Sequence, residues 1–140
     1  MTGWVARWGR GEDGQALVEF ALVVPVLLFM ILGLAEFARA WNTQQVLTDA
    51  AREGLRSAVV ANPDFAYASM RTLIDDALRR ASLDPGRADV SVQGWKAGTG
   101  TQARINIDYV YEFVFLGPFI NWVSGDRSLA LSTSFVMRNE

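Results

Sequence analysis

The sequence has no cysteine and no histidine. Those absences exclude a disulfide, a zinc site built on thiolate or imidazole, and a Ser-His-Asp catalytic system. The lack of cysteine does not fix the redox compartment, because a domain exported to an oxidising space is simply free of pairing problems. A basic excess is also missing. Thirteen Lys and Arg stand against fifteen Asp and Glu, for a formal net charge of −2, whereas a nucleic-acid partner would need a basic face for its phosphates. There is no repeat and no low-complexity tract. Gly94, Gly98 and Gly100 lack the GxxxxGK[ST] spacing that cradles phosphate and read as a hairpin turn. Asp75 and Asp76 are neighbours on an expected helix, where adjacent side chains diverge, so they read as a solvated face. No cofactor, metal or enzymatic activity is expected.

What is present is a concentration of apolar residues. About half of the 140 residues are apolar, and the segment from Leu17 to Ala35 holds most of the excess. No residue from Phe20 through Ala35 is charged. With residues 15–19 included, this stretch is about 31 Å long as a helix, close to the thickness of a bilayer core. A buried helix of a soluble domain is the competing reading, but core helices are seldom apolar on every face over this length. Pro25 would break a soluble helix and is tolerated in a membrane one. Residues 1–14 show no periodicity and read as a short flexible leader on the cytoplasmic side, with the span at 15–36. Arg7 and Arg10 before the span are balanced by Arg39 and Arg52 after it. Length therefore decides the orientation: the long C-terminal part crosses regardless of its charge, and the short leader stays inside.

Beyond the membrane the helix is expected to continue over 37–61. Leu47, Ala51, Gly54 and Ala58 recur at spacings of four, three and four and share one face made mostly of small residues, suited to close packing on a domain. Asn62-Pro63 ends this helix, and the same residues, with Asp64, read as the cap and first turn of a second one. Its apolar stripe is Ala66, Met70, Leu73, Ala77 and Leu78, and Asp84-Pro85-Gly86 stops it. The remainder reads as strand. Val90 and Val92 alternate with polar residues. Ala103, Ile105, Ile107, Tyr109, Tyr111, Phe113 and Phe115 face one way, with Arg104, Asn106, Asp108 and Glu112 opposite, until Gly117-Pro118 closes the run. Leu129, Leu131, Thr133, Phe135 and Met137 form the last oily edge. The fold class is α+β: a long N-terminal transmembrane helix continuing into a small extracytoplasmic domain (62–140), in which a second helix packs on a three- to four-stranded antiparallel sheet. Tyr109, Phe113 and Phe135 are expected to be buried between sheet and helix.

Two features remain. Glu19 lies at the edge of the apolar run, where a carboxylate is costly unless it pairs or reaches the headgroups. Phe119-Ile120-Asn121-Trp122-Val123, between two strands, is too apolar for an ordinary loop. It reads either as a plug folded back on the core or as a docking patch, centred on Phe119 and Trp122, for another subunit or the membrane surface.

The run Gly14-Gln15-Ala16-Leu17-Val18-Glu19-Phe20, followed by Ala21-Leu22-Val23-Val24-Pro25, resembles the N-terminus of the TadE-like pseudopilins of tight-adherence (Tad, or Flp) pilus systems. Ala50-Ala51-Arg52-Glu53-Gly54-Leu55-Arg56 resembles the end of that family's helical motif, and Met137 to Glu140 is a weaker echo. The resemblance implies a pilin-like fold and a structural role in pilus assembly or a related secretion system. It implies cleavage between Gly14 and Gln15 by a prepilin peptidase and subunit contacts through Glu19, Phe20 and Pro25. The implied partners are other minor pilins, the major Flp-type pilin, inner-membrane platform proteins and membrane lipid. The implied location is the bacterial cytoplasmic membrane, with entry into the filament, capping of it and retention in the membrane all compatible with the sequence. A different reading takes Ala38-Arg39-Ala40 as a signal-peptidase site that releases a secreted binding domain, although the apolar core is longer than the usual h-region. A third leaves the span as a plain anchor for an unrelated external domain.

Overall fold

A computed structural model describes residues 11–60 and 65–140. Helix α1 runs unbroken over Gly11–Val59, with Pro25 inside it. It therefore begins within the segment read as a flexible leader. Arg7 and Arg10 lie outside the described residues, as does the expected Asn62-Pro63-Asp64 cap. Helix α2 covers Tyr67–Arg80 with Ala66 at its N-cap, later than the sequence suggested. The expected stripe shifts accordingly. Ala66 is exposed, and the buried line is Met70, Ile74 and Leu78, spaced by four.

A 3-10 turn, Pro85–Arg87, leads into strand β1 (Ala88–Gln93), which pairs antiparallel with β2 (Gln102–Glu112). Strand β3 (Ser128–Arg138) pairs on the other side of β2, giving a three-stranded antiparallel sheet in the order β1-β2-β3. The β1–β2 turn needs glycine at 94: its φ is +73°, and a Cβ there would lie 2.2 Å from the Gln102 carbonyl oxygen. Between β2 and β3 lies a short helix, α3 (Gly117–Ser124).

The upper half of α1 and the inner face of α2 cover one side of the sheet. Leu47, Ala51, Leu55, Met70, Ile74, Leu78, Ile105 and Ile107 are fully buried in this layer. Tyr109 and Tyr111 join them, while Phe113 and Phe135 are only half-buried at the margin. Phe135 lies under the Arg52 guanidinium, 5.3 Å from its ring centre. Gln44 donates to the Ser132 carbonyl at 2.8 Å, and Thr48 and Thr133 share a bond of 3.2 Å, so α1 is bound along edge strand β3. The chain end returns to α1 through Glu140 N–H and the Val59 carbonyl at 3.1 Å.

Asp75 is not on a solvated face. It accepts from Arg71 Nε at 2.8 Å, and Arg71 also donates to the Ala88 and Pro85 carbonyls at 3.0 Å each, bracing α2 against the start of β1. Asp76 is exposed beside Arg79.

At Gly54 helix α1 packs closely on α2: a Cβ there would meet Ile74 Cγ1 and Cδ1 at 3.0 Å. Gly54→Ala is expected to be nearly neutral, because a helix-propensity gain of about 1 kcal/mol offsets a small shift of Ile74. Gly54→Leu has no such room and is expected to cost about 1–3 kcal/mol. Thermal unfolding of the detergent-solubilised protein checks both, and equal melting temperatures for Leu and wild type would contradict the packing described.

Candidate functional site

The lower half of α1 is a bare apolar rod. From Gly14 to Ile31 almost every residue is exposed, and by length and composition the helix can cross a membrane. Pro25 removes one helix N–H and leaves the Ala21 carbonyl without its usual partner, a loss that neighbouring turns absorb. Gly14 and Gln15 are exposed on the first turns, with nothing within 4 Å of a Cβ built at Gly14. Glu19 is exposed one turn after Gln15, and among the described residues nothing pairs with it; Phe20 is exposed beside it. Leu47, Ala51, Gly54 and Ala58 are all buried, the first three against α2 and the sheet. Phe119 and Trp122 lie on α3, 47% and 81% exposed. The structure thus brings the helical-face residues into the core and leaves the processing, assembly and patch residues outside it.

The most elaborate polar arrangement was not anticipated from the sequence. Glu36, at the upper end of the apolar run, is only 1% exposed. Its Oε1 accepts from the Tyr111 hydroxyl at 2.5 Å. Its Oε2 accepts from the backbone N–H of Val114 at 3.0 Å, Phe115 at 2.7 Å and Leu116 at 3.4 Å. All four partners are donors, which suits an acceptor-only carboxylate. Burial, followed by the bond to Glu36, pushes the Tyr111 phenol up to about 12.

This capture explains where β2 ends. The alternating pattern of Tyr111, Phe113 and Phe115 continues, but the last ladder pair is Glu112 with Ser128. Phe113 N–H still reaches the Arg127 carbonyl at 3.0 Å, after which the next three amides turn to Glu36. Phe115 is therefore exposed, with the Arg39 guanidinium 5.5 Å above its ring, and is not part of the strand face.

A signal for Glu36 was present. Residues 36, 40, 43, 47, 51, 54 and 58 follow one another at spacings of three and four, so the small-residue face continues back to Glu36. A carboxylate on the packed face of a helix requires donors from the domain it packs on.

The chain leaves Glu36 through Gly117-Pro118, where Pro118 occupies the first turn of α3 instead of merely ending a strand. The plug reading of residues 119–123 is overturned, because α3 does not fill the core. The Phe119 ring lies instead 5.1 Å from that of Phe29, on the lower half of α1, and Trp122 lies tilted beside Phe119 with ring centres 6.1 Å apart. Among the described residues no three carboxylates converge as a metal site would require. What these surfaces can do chemically is pack, anchor and hold charge.

A family model described as TadE-like protein matches residues 14–56, from the first turns of α1 to the middle of its packed half. No curated protein and no solved structure matches the chain. Residues 14–56 are thus similar to TadE-like proteins, and the match lies on the helix that is long and apolar enough to cross a membrane.

Proposed function

Proceeding from this TadE-like helix, we propose that the protein is a minor pilin or pseudopilin, a structural assembly factor of a Tad-type pilus or related secretion system. A prepilin peptidase cuts after Gly14, and the mature chain begins at Gln15. Residues 15–36 anchor it in the inner membrane with the N-terminus inside, 37–61 carry the helix out, and 62–140 form the extracytoplasmic domain. Its partners are the peptidase, other minor pilins, the major Flp-type pilin, the inner-membrane platform proteins and lipid.

The observation that carries this reading is one continuous helix whose lower half is exposed and apolar and whose upper half is built into the domain core. Such a helix can serve first as a membrane anchor and then as the core of a helical bundle, because the surface that faces lipid is free to face other subunits. Gly14 is exposed on that helix with open space around it, as a protease substrate must be. Release at Ala38-Arg39-Ala40 fits the structure poorly, because it would discard Glu36 and with it the acceptor for Tyr111 and three backbone amides.

Processing provides the test. Co-expressed with an active prepilin peptidase, wild type is expected to lose its first 14 residues, and Gly14→Val to keep them. A peptidase must fit the backbone closely at the cut, and only glycine lacks a side chain. Intact-mass spectrometry of membrane fractions reads the result. An uncut wild-type N-terminus beside a working peptidase removes the pseudopilin reading.

A further inference from the structure

We propose that α3 and the loop before it lie inside the outer half of the bilayer, as a lipid-immersed wedge beside the span. The inference rests on the reading of α1 as a membrane anchor and commits to hydrocarbon as what covers α3.

Depth comes first. Phe119 packs on Phe29, so the two share a height along α1. Phe29 is ten residues after Glu19 and ten before Arg39, which places it about 15 Å from each at 1.5 Å per residue. The one charge between them is Glu36, and its carboxylate is turned into the domain. The lipid-facing surface of α1 is therefore uncharged over about 30 Å, one bilayer core, with Phe29 near its middle. Whatever touches Phe29 is at hydrocarbon depth, whatever the tilt of the helix.

The composition of α3 agrees. No residue of Gly117–Ser124 is charged, and Phe119, Trp122 and Val123 are exposed, together with Val114 and Phe115 just before them. In water this contiguous patch would cost about 25 cal/mol per Å². It is continuous with the exposed surface of the span through the Phe29–Phe119 contact, so the same solvent covers both. The charged groups next to this segment are Glu36, which is turned into the domain, Arg39 over the Phe115 ring, and Asp126 and Arg127 beyond the end of α3, where the chain returns to β3.

The backbone supplies the third argument. Non-helical chain survives at membrane depth only where its polar groups are satisfied by protein. Between the last rung of β2 and α3 the N–H of Phe113 goes to Arg127, and those of Val114, Phe115 and Leu116 go to Glu36. Within α3, Ile120 N–H bonds the Leu116 carbonyl at 2.9 Å. At the far end Gly125 N–H bonds the Asn121 carbonyl at 2.9 Å, and Ser124 Oγ donates to the Ile120 carbonyl at 2.9 Å. One buried carboxylate holding three consecutive amides meets the condition that a loop below the headgroups must satisfy.

Because the chain has no cysteine, single-cysteine variants test the idea directly. Trp122→Cys, Met30→Cys in the span and Ser91→Cys on the sheet are reconstituted singly into phosphatidylcholine vesicles and exposed to a membrane-impermeant maleimide. Labelling at 122 and 30 is expected to be about tenfold or more slower than at 91, because a thiol in hydrocarbon does not ionise and the reagent does not enter. Labelling at 122 as fast as at 91, with 30 protected, overturns the wedge and leaves the anchor intact. Rapid labelling at 30 removes the anchor and the wedge together. Protection at 122 that fades as the protein is diluted into excess lipid means that a second copy covers α3, and also overturns the proposal. The cysteine-free chain gives a second reading should Trp122→Cys misfold. Lipids brominated along their tails are expected to quench Trp122, and Trp122→Phe to remove that quenched component; identical quenching in the two proteins counts against immersion.

Discussion

Glu36→Ala is expected to release α3 and the loop before it from α1, at a cost on the order of 3–5 kcal/mol. The size follows from what is left behind. The Tyr111 hydroxyl and the amides of Val114, Phe115 and Leu116 all donate to this one carboxylate. A buried donor without an acceptor costs about 1–3 kcal/mol, and the total stays below the sum of four because the loop can open to recover partners. Glu36→Gln keeps the volume and one acceptor oxygen but sets an NH2 group against donors, so it should fall between alanine and wild type. Tyr111→Phe removes one charge-assisted bond and should cost about 1.5–3 kcal/mol, the mildest of the three. Hydrogen exchange at the Val114–Leu116 amides gives the local reading, and thermal unfolding in detergent gives the global one. The carboxylate bonds Tyr111 and the amides of residues 114–116 and reaches the rest of the core through Tyr111 alone among its hydrogen-bond partners, so the alanine variant should lose protection at residues 113–124 before it loses the sheet. Unchanged exchange at those amides in the alanine variant would show that Glu36 does not hold the loop.

The same residue shows how far the sequence could be read. The span, the packed upper helix, α2 and the three strands were legible because each repeats its pattern over several turns or pairs: sixteen uncharged residues in the span, or Ala103 to Tyr111 alternating in β2. The end of β2 was not legible, because Phe113 and Phe115 continue the alternation in sequence while the backbone leaves the ladder for a side chain 78 or more positions away. Local pattern cannot register a partner that remote. Helix α3 was missed for a different reason. At eight residues it is too short to display a period, and its opening Gly117-Pro118 serves equally well to end a strand. Ile74 was passed over in α2 because Leu73 and Ala77 made a plausible stripe one position aside, and only the docking of Gly54 on Ile74 fixes the rotation of that helix. Of the site residues, the buried helical face could be read from spacing alone. Glu36 needed the further step of asking what a carboxylate on that face would bond.

Glu19→Gln is expected to abolish pilus assembly while leaving membrane insertion and cleavage after Gly14 intact. The hypothesis is that Glu19 pairs with the amine freed at Gln15 of an adjacent subunit. Three observations motivate it. A carboxylate at the start of an apolar span is expensive without a partner, and among the described residues Glu19 has none. The proposed cut creates a cation four residues away in sequence, about one turn along the helix. Until assembly, negative charge near a helix N-terminus is favoured by the dipole, so the monomer tolerates it. Once helices bundle and water leaves, either charge alone is costly, and the pair becomes a condition of close packing. Charge and reach can be separated. Gln keeps the size and loses the charge, and Asp keeps the charge and shortens the reach by one methylene. An ion pair therefore predicts no pili with Gln and reduced piliation with Asp, both with normally processed protein on an immunoblot. A Glu19 that merely rests among headgroups predicts wild-type piliation with Gln, since removing an interfacial charge costs the helix nothing. Electron-microscopic pilus counts decide between them, and normal counts in the Gln variant would end the ion-pair hypothesis.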